Sequence, residues 1–306
     1  MKRLRILVLG GAGFIGRHAA AALLERGHAV TIGTRRPRRA LPDQVHGCEV
    51  LETHLERLAR RGEWHVPLAG FDVVVNAVGI LRSRGAETYE RVHHFAPAAL
   101  AAACALAGRR LIHVSALGLS ADARSGFITS KLAGERAVMA SGADYSIVRP
   151  SLLEGRGGFG ARWLEVIGRL PIHFIPADAL GRIAAMDVRD LATAIADLCE
   201  RRGEDCREVE LGGENPVTMA GYLARIRTKS NLAPALQLRI PAWLARLVSH
   251  ACDLAHFSPF SFGHLELMRR DNVPLIVRRR EVVETPAVAL RRPALELGRR
   301  FGAPAA

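Results

Sequence analysis

Hydrophobic positions along the chain fall into two alternating textures: short unbroken apolar runs, and longer stretches with helical spacing. Leu4 to Leu9 is a run of the first kind and leads into a glycine turn. Phe14 to Arg26 then carries helical spacing and stops before Gly27, where a left-handed cap belongs. The same alternation predicts strands at His28–Gly33, Cys48–Glu52, Phe71–Val78, Leu111–Ser115 and Tyr145–Arg149. It predicts helices at Thr88–Ala107 and Ser125–Ser141, with a loop over residues 34–47. Strands without polar alternation belong to a parallel sheet covered on both faces. Strand–helix repetition at this interval implies right-handed crossovers, hence an α/β, doubly wound parallel sheet of Rossmann type over residues 1–150.

After Pro150 the pattern loosens. Residues 151–182 read as loop-rich, with helices at Val188–Glu200, Thr218–Arg227 and Pro241–Phe257 and a strand at Glu208–Leu211. Residues 151–306 are expected to form a smaller C-terminal α/β subdomain on the substrate side, with about 183–211 returning to pack on the Rossmann core. The Pro241–Phe257 helix is amphipathic and bears Trp243, Leu244, Leu247 and Val248. It and the arginine-rich tail after Val273 raise the prospect of docking on an anionic membrane surface.

Composition narrows the class. The chain has 306 residues, 49% of them hydrophobic, enough for a large core. No apolar run approaches the ~18–20 residues of a membrane span. Met1-Lys2-Arg3 imitates a secretory leader, but Arg17 and His18 interrupt the apolar segment, so a strand and turn are expected instead. The five cysteines form no C-x-x-C pair, and His93 and His94 are adjacent, so no metal site is expected. A cytoplasmic location follows, with a peripheral membrane position left open. The net charge of +13 rests on 43 basic residues, of which only three are lysine, and it is spread through both halves. Without a groove-reading motif, specific nucleic-acid binding is not expected.

Candidate chemistry begins at Gly10-Gly11-Ala12-Gly13-Phe14-Ile15-Gly16, a G-x-x-G-x-x-G run between a strand and a helix. The first glycine serves the tight turn, the middle one lets the backbone approach a pyrophosphate, and the last allows close packing. Gly10, Gly13, Phe14, Ile15 and Gly16 are therefore candidate dinucleotide contacts, with the helix N-terminus facing the phosphates. The adenosine 2′ position is read at the end of the second strand, where an acid would select NAD. Here the run is Thr34-Arg35-Arg36-Pro37-Arg38-Arg39, without an acid. Thr34, Arg35 and Arg36 suit a 2′-phosphate, so NADP(H) is favoured over NAD(H).

With those residues in hand, the chain resembles the extended and atypical short-chain dehydrogenase/reductases. The matching pieces are the glycine turn, Asn76-Ala77-Val78-Gly79, His113-Val114-Ser115-Ala116, Lys131 with Gly134-Glu135, Arg149-Pro150-Ser151 and Asp187-Val188-Arg189-Asp190. Within that superfamily it is most similar to the nucleotide-binding accessory subunit of respiratory complex I and its bacterial relatives. Val78-Gly79-Ile80-Leu81, Val114-Ser115-Ala116-Leu117-Gly118 and Leu265 to Val273 carry that likeness. The resemblance implies cofactor contacts from Ala77, Val78, Gly79, Ser115, Lys131 and Pro150. It also implies a catalytic Ser–Tyr–Lys set, of which Ser115 and Lys131 are present. The tyrosine position holds Phe127, which has no proton to give. Lys131 is read as the lysine that bonds the nicotinamide ribose, or as an ordinary helix lysine. Ser115 is read as a substrate or cofactor contact, or as a hydroxyl satisfied by nearby backbone. Gly155 to Gly160 is expected to be a mobile loop over the substrate pocket.

These residues leave two kinds of function open. One is an NADP(H)-binding protein with an impaired catalytic set, acting as a structural element or sensor beside a membrane or respiratory complex. The other is an active oxidoreductase, or a sugar-nucleotide epimerase or dehydratase, that takes its proton from another source and acts on a small-molecule substrate.

Overall fold

The computed structural model describes residues 2–37, 42–55, 64, 68, 70–201, 206–255 and 260–275. Arg38 and Arg39 of the basic run, the last two residues of the expected Pro241–Phe257 helix, and the tail beyond residue 275 lie outside them. The first part of the chain runs β1 (Arg5–Leu9), α1 (Phe14–Glu25), β2 (Ala29–Thr34), β3 (Glu49–Glu52), β4 (Val73–Asn76), α2 (Ala96–Ala107), β5 (Arg110–Val114), α3 (Gly126–Met139) and β6 (Tyr145–Pro150). It continues through β7 (Leu153–Glu154), α4 (Phe159–Gly168), β8 (Ile172–Pro176), β9 (Arg182–Ile183), β10 (Met186–Asp187), α5 (Val188–Glu200) and β11 (Glu208–Leu211). The last described elements are β12 (Val217–Thr218), α6 (Met219–Lys229), β13 (Leu236–Ile240), α7 (Ala242–Ala255) and α8 (Phe262–Met268).

Seven strands form one parallel sheet in the order β11-β6-β5-β4-β1-β2-β3. The direction of winding reverses between β1 and β4, which opens a crevice at the carboxyl ends of those strands. Strand alternation explains why both faces are covered. Ile6, Val8, Ile32, Val75, Ile112 and Val148 pack against Ala19, Ala20 and Leu23 of α1 and Leu191 and Ile195 of α5. Leu7, Leu9, Val74, Leu111 and Ile147 face the other way, onto Leu100 and Ala103 of α2 and Val138 of α3. Each fully buried aliphatic side chain contributes about 1.5–3 kcal/mol, so this two-layer core holds the strand ends in place.

Two elements depart from the sequence pattern. The expected Thr88–Ala107 helix is divided: Glu90–Phe95 is a π-helical turn, and regular α-helix starts only at Ala96. Pro97 is the cause. It has no N–H to bond the His93 carbonyl, and the Ala96 N–H reaches back to Arg91 instead. α3 approaches the same spot, and a Cβ on Gly134 would lie 1.9 Å from the His93 oxygen. Residues 151–182, expected to be loop-rich, contain β7, α4 and β8. Gly155, Gly157 and Gly158 form the turn before Phe159, and the helix starts there with Gly158 as its N-cap.

The C-terminal segment returns to the sheet as a strap. The Glu266 carboxylate of α8 accepts from the Arg124 and Ser125 N–H groups at 2.9 and 2.8 Å, and Ser125 is the N-cap of α3. The Ser151 hydroxyl donates to the Asn272 carbonyl at 2.7 Å. Arg82, in the loop after β4, is pinned by the Cys252 and Phe260 carbonyls and by Asp253. The Rossmann half and the last helices therefore build one site together.

Candidate functional site

The glycine turn sits where β1 meets the crevice. Gly10 has φ +75°, and a Cβ there would lie 3.0 Å from the Val78 side chain. A Cβ on Gly16 would lie 2.2 Å from the Gly10 carbonyl oxygen, so neither position admits a side chain. Gly13 has extended backbone and is the N-cap of α1, without a side-chain cap. The first backbone bond of the helix runs from the Arg17 N–H to the Gly13 carbonyl at 3.1 Å. The Phe14 and Ile15 N–H groups precede it and have no partner within the helix, which leaves a pair of donors suited to an anion. Ala77, Val78 and Gly79 follow β4 on the opposite wall, with the Val78 N–H donating to Asn76 Oδ1 at 3.2 Å.

At the end of β2, Thr34 is half-buried and Arg35 and Arg36 are exposed. The Arg36 N–H donates to Thr34 Oγ1 at 3.4 Å, which holds the turn of the chain. Arg35 forms an ion pair with Glu87 from the loop after β4. Nothing in the local sequence around Glu87 signals this pairing.

The residues of the set that the resemblance implies lie on consecutive elements, Ser115 just after β5 and Phe127 and Lys131 on α3. Ser115 extends β5, its N–H donating to the Val148 carbonyl at 2.7 Å. Its hydroxyl is buried and has no hydrogen-bond partner, so the backbone does not satisfy it. Lys131 lies one turn beyond Phe127 on α3, its ammonium 5.9 Å from the ring centroid. Burial pushes the Lys131 ammonium down to about 8, against the opposing pull of Glu135. Glu135 itself is taken by Arg149, at 2.7 Å. Pro150 ends β6, and its carbonyl accepts from the Leu117 N–H at 2.9 Å just beyond Ser115.

Phe127 is buried in a nest of rings. It meets Tyr89 and His93 edge-on at 5.9 and 5.5 Å and stacks on His264 at 5.8 Å. None of these neighbours stands ready as a proton donor. The Tyr89 hydroxyl already donates to the Leu81 carbonyl at 2.8 Å, and burial raises its pKa. His93 Nε2 accepts from the Ile80 N–H at 3.0 Å, and burial and the Lys131 charge push its pKa well below the ordinary range. Burial and the Lys131 charge also take His113 down to about 3, with its Nδ1 facing the Asn76 amide at 3.2 Å. His264 is lowered by burial to about 4. All three imidazoles are therefore neutral near pH 7.

Phe127 and Tyr89 form one wall of a cavity of about 710 Å³, with Arg82, Arg124, Arg246, His250 and Phe262 around it. Sequence reasoning missed Arg246, His250 and Phe262, because α7 and α8 reach the site only through tertiary folding. Gly155 to Gly160 does not cover this cavity. The Arg17 guanidinium donates to the Arg156 carbonyl at 2.8 Å, and Gly158 packs against the Phe14 ring, so the loop sits on the first turn of α1. Among the described residues no cluster could hold a metal ion, and no helix is long and apolar enough to cross a membrane.

Comparison with known proteins agrees with this geometry. The NAD(P)H-binding family matches residues 10–166, which run from the glycine turn through the Ser115, Phe127 and Lys131 positions. A ceramide reductase of Caulobacter vibrioides is 29% identical over 201 residues, covering 63% of this chain and 60% of that protein. A dTDP-4-dehydrorhamnose reductase of Mycobacterium tuberculosis is 28% identical over 218 residues, covering 64% of each. The chain thus spans less than two thirds of the length of these curated relatives. Among solved structures, the Thermus thermophilus UDP-glucose 4-epimerase in complex with NAD superposes with a TM-score of 0.58 at 19% identity, covering 78% of this chain and 86% of that one. The seven-stranded parallel sheet and the family match converge: this chain belongs to the NAD(P)H-binding family and has a Rossmann fold.

Proposed function

We propose that the protein binds NADP(H) at the Gly10–Gly16 turn and turns it over slowly, using the bound nucleotide mainly as a structural or sensing element. The observation that carries this reading is the Phe127 ring. It lies in an aromatic nest beside Lys131, at the position where the superfamily's proton donor would stand, and offers only hydrocarbon. Bound NADPH would supply a hydride; the chain's own part is to hold the nucleotide and to place a proton. Lys131 suits the ribose hydroxyls, because its ammonium has no hydrogen-bond or ion-pair partner among the described residues. Ser115 suits a carbonyl oxygen or an amide, because its hydroxyl is unpartnered.

A second reading is an active reductase, which accords with the reductase names of both curated relatives. The observation in its favour is Lys131, whose pKa near 8 makes the ammonium itself a workable acid. The substrate would be a small anionic molecule, since Arg124 and Arg246 line the cavity beside Phe127. Phe127→Tyr separates the two readings, as argued below.

The NADP(H) preference rests on Thr34, Arg35 and Arg36 and the absence of an acid beside them. NADPH should bind at least about tenfold tighter than NADH, and Arg36→Ala should remove most of that gap. Equal affinities in a fluorescence titration would overturn it. Lys131 adds a pH dependence. Its ammonium is present below about 8 and is lost above it, so NADPH affinity should be flat up to pH 7 and fall as pH rises through 8. Lys131→Met should weaken binding about tenfold at pH 7 and abolish the fall; an unchanged profile would remove Lys131 from the site.

The exposed side chains of Trp243, Leu247 and Val248 on α7, with the chain's net charge of +13, support peripheral docking on an anionic membrane. Co-sedimentation with phosphatidylglycerol vesicles but not with phosphatidylcholine vesicles tests this. Association with a respiratory complex rests on the resemblance alone.

A further inference from the structure

The end of β2 lacks the acid that reads an NAD ribose, yet the fold delivers one from elsewhere. Glu87 lies in the loop after β4, and its carboxylate pairs with the Arg35 guanidinium. In the sheet, β4 and β2 flank β1 on either side, so this pair reaches across the mouth of the crevice above the glycine turn. The backbone under Glu87 is fixed. Arg84 and Glu87 exchange two backbone hydrogen bonds at 2.9 Å, closing a tight turn over Gly85. The same loop is anchored at both flanks, by Arg82 on Asp253 and by the Tyr89 N–H on the Ser83 hydroxyl at 3.0 Å. Glu87 is the less exposed partner, its side chain 25% accessible against 52% for Arg35.

We propose that Glu87 is a specificity-determining residue that occupies the Arg35 guanidinium in the free protein and competes with the 2′-phosphate of NADP(H) for it. The inference rests on the reading that the arginines at the end of β2 meet the 2′-phosphate. The Glu87 carboxylate occupies a guanidinium donor that a phosphate would use, and a carboxylate left beside a phosphate repels it. A 2′-phosphate therefore has to displace Glu87 from Arg35 or bind against its negative charge. The Arg36 side chain has no hydrogen-bond or ion-pair partner among the described residues and takes the phosphate without that exchange. NAD(H), which has a hydroxyl at the same place, leaves the pair intact. The pair thus lowers NADP(H) affinity selectively and narrows the gap that the arginines would otherwise create. Because the same loop carries Tyr89 onto Phe127, displacement of Glu87 acts on a segment that also walls the substrate cavity.

The test is equilibrium binding of 2′,5′-ADP, ADP, NADPH and NADH to wild type, Glu87→Gln, Arg35→Ala and the double variant. Glu87→Gln should tighten 2′,5′-ADP and NADPH about three- to tenfold, the range for a partly exposed ion pair, and leave ADP and NADH within about twofold. In the Arg35→Ala background the Glu87 substitution should have no effect, since the competition is gone. If Arg35→Ala weakens NADPH while Glu87→Gln leaves it unchanged, the competition is refuted and the NADP(H) reading stands. If Glu87→Gln instead weakens ADP and NADH, Glu87 accepts a ribose hydroxyl and the proposal is overturned. If neither Arg35→Ala nor Arg36→Ala changes NADPH affinity, the NADP(H) reading itself fails, and this inference with it.

Discussion

Phe127→Tyr should raise carbonyl-dependent NADPH oxidation by roughly 10²–10⁴-fold, the range for one well-placed general acid. Phe127 is one of the residues lining a cavity of about 710 Å³, the space toward which an added oxygen would point. A phenol titrates at ~10 in water, and the Lys131 ammonium, 5.9 Å from the ring centroid, would lower it toward working pH. Lys131 is still largely protonated at pH 7, because its own pKa is about 8. The gain should disappear in a Phe127→Tyr, Lys131→Met double variant, which loses the charge that activates the phenol. The measurement is steady-state NADPH oxidation over a panel of aldehydes, ketones and keto sugars. Rapid wild-type turnover that the substitution leaves unchanged would favour the reductase reading with Lys131 as the acid.

Gly13→Val should weaken NADPH at least about 100-fold, or ~2.7 kcal/mol, while the fold survives. The two halves of this expectation come from the same geometry. Gly13 has φ −78° and ψ 177°, a conformation open to any residue. A Cβ there meets only the Gly10 carbonyl oxygen, at 3.0 Å, which a shift of a few tenths of an ångström relieves. The valine methyls would stand where the pyrophosphate has to approach the Phe14 and Ile15 N–H groups. Gly13→Ala, with less bulk, should lose less affinity and guards against misfolding as the cause. Gly16→Val is the contrasting variant: its Cβ would lie 2.2 Å from the Gly10 oxygen, so it should fail to fold. Isothermal titration with circular dichroism of each variant separates the effects. A folded Gly13→Val protein with wild-type affinity would show the turn to be structural only.

The parts legible in the sequence were those with local causes. Ile6 to Leu9 of β1 and Val73 to Val75 of β4 are apolar runs because both faces of these strands are covered, and that is visible residue by residue. The glycine turn is visible because Gly10 and Gly16 meet steric limits set by their own neighbours in the chain. Elements with distant causes were not legible. The π turn before α2 depends on Pro97 together with the approach of Gly134, which lies 37 residues later in the chain. Glu87 carries no motif and gains its place only when β2 and β4 flank β1. The cavity walls from α7 and α8 depend on the Glu266 and Asn272 contacts that bring the strap back. The packing of Gly155 to Gly160 on Phe14 and Arg17 was not legible for the same reason, since it joins residues about 140 positions apart.

The central claim is that this chain holds NADP(H) in a site that lacks the superfamily's proton donor. Its most direct measurement is one sample followed in two ways: NADPH fluorescence on titration with wild-type protein, and the decay of that bound NADPH after a carbonyl panel is added. Saturable binding with near-stoichiometric NADPH that persists over many minutes, and is consumed rapidly only in Phe127→Tyr, is the predicted result. Absence of binding, or rapid consumption by the wild-type protein that Phe127→Tyr does not accelerate, would contradict it.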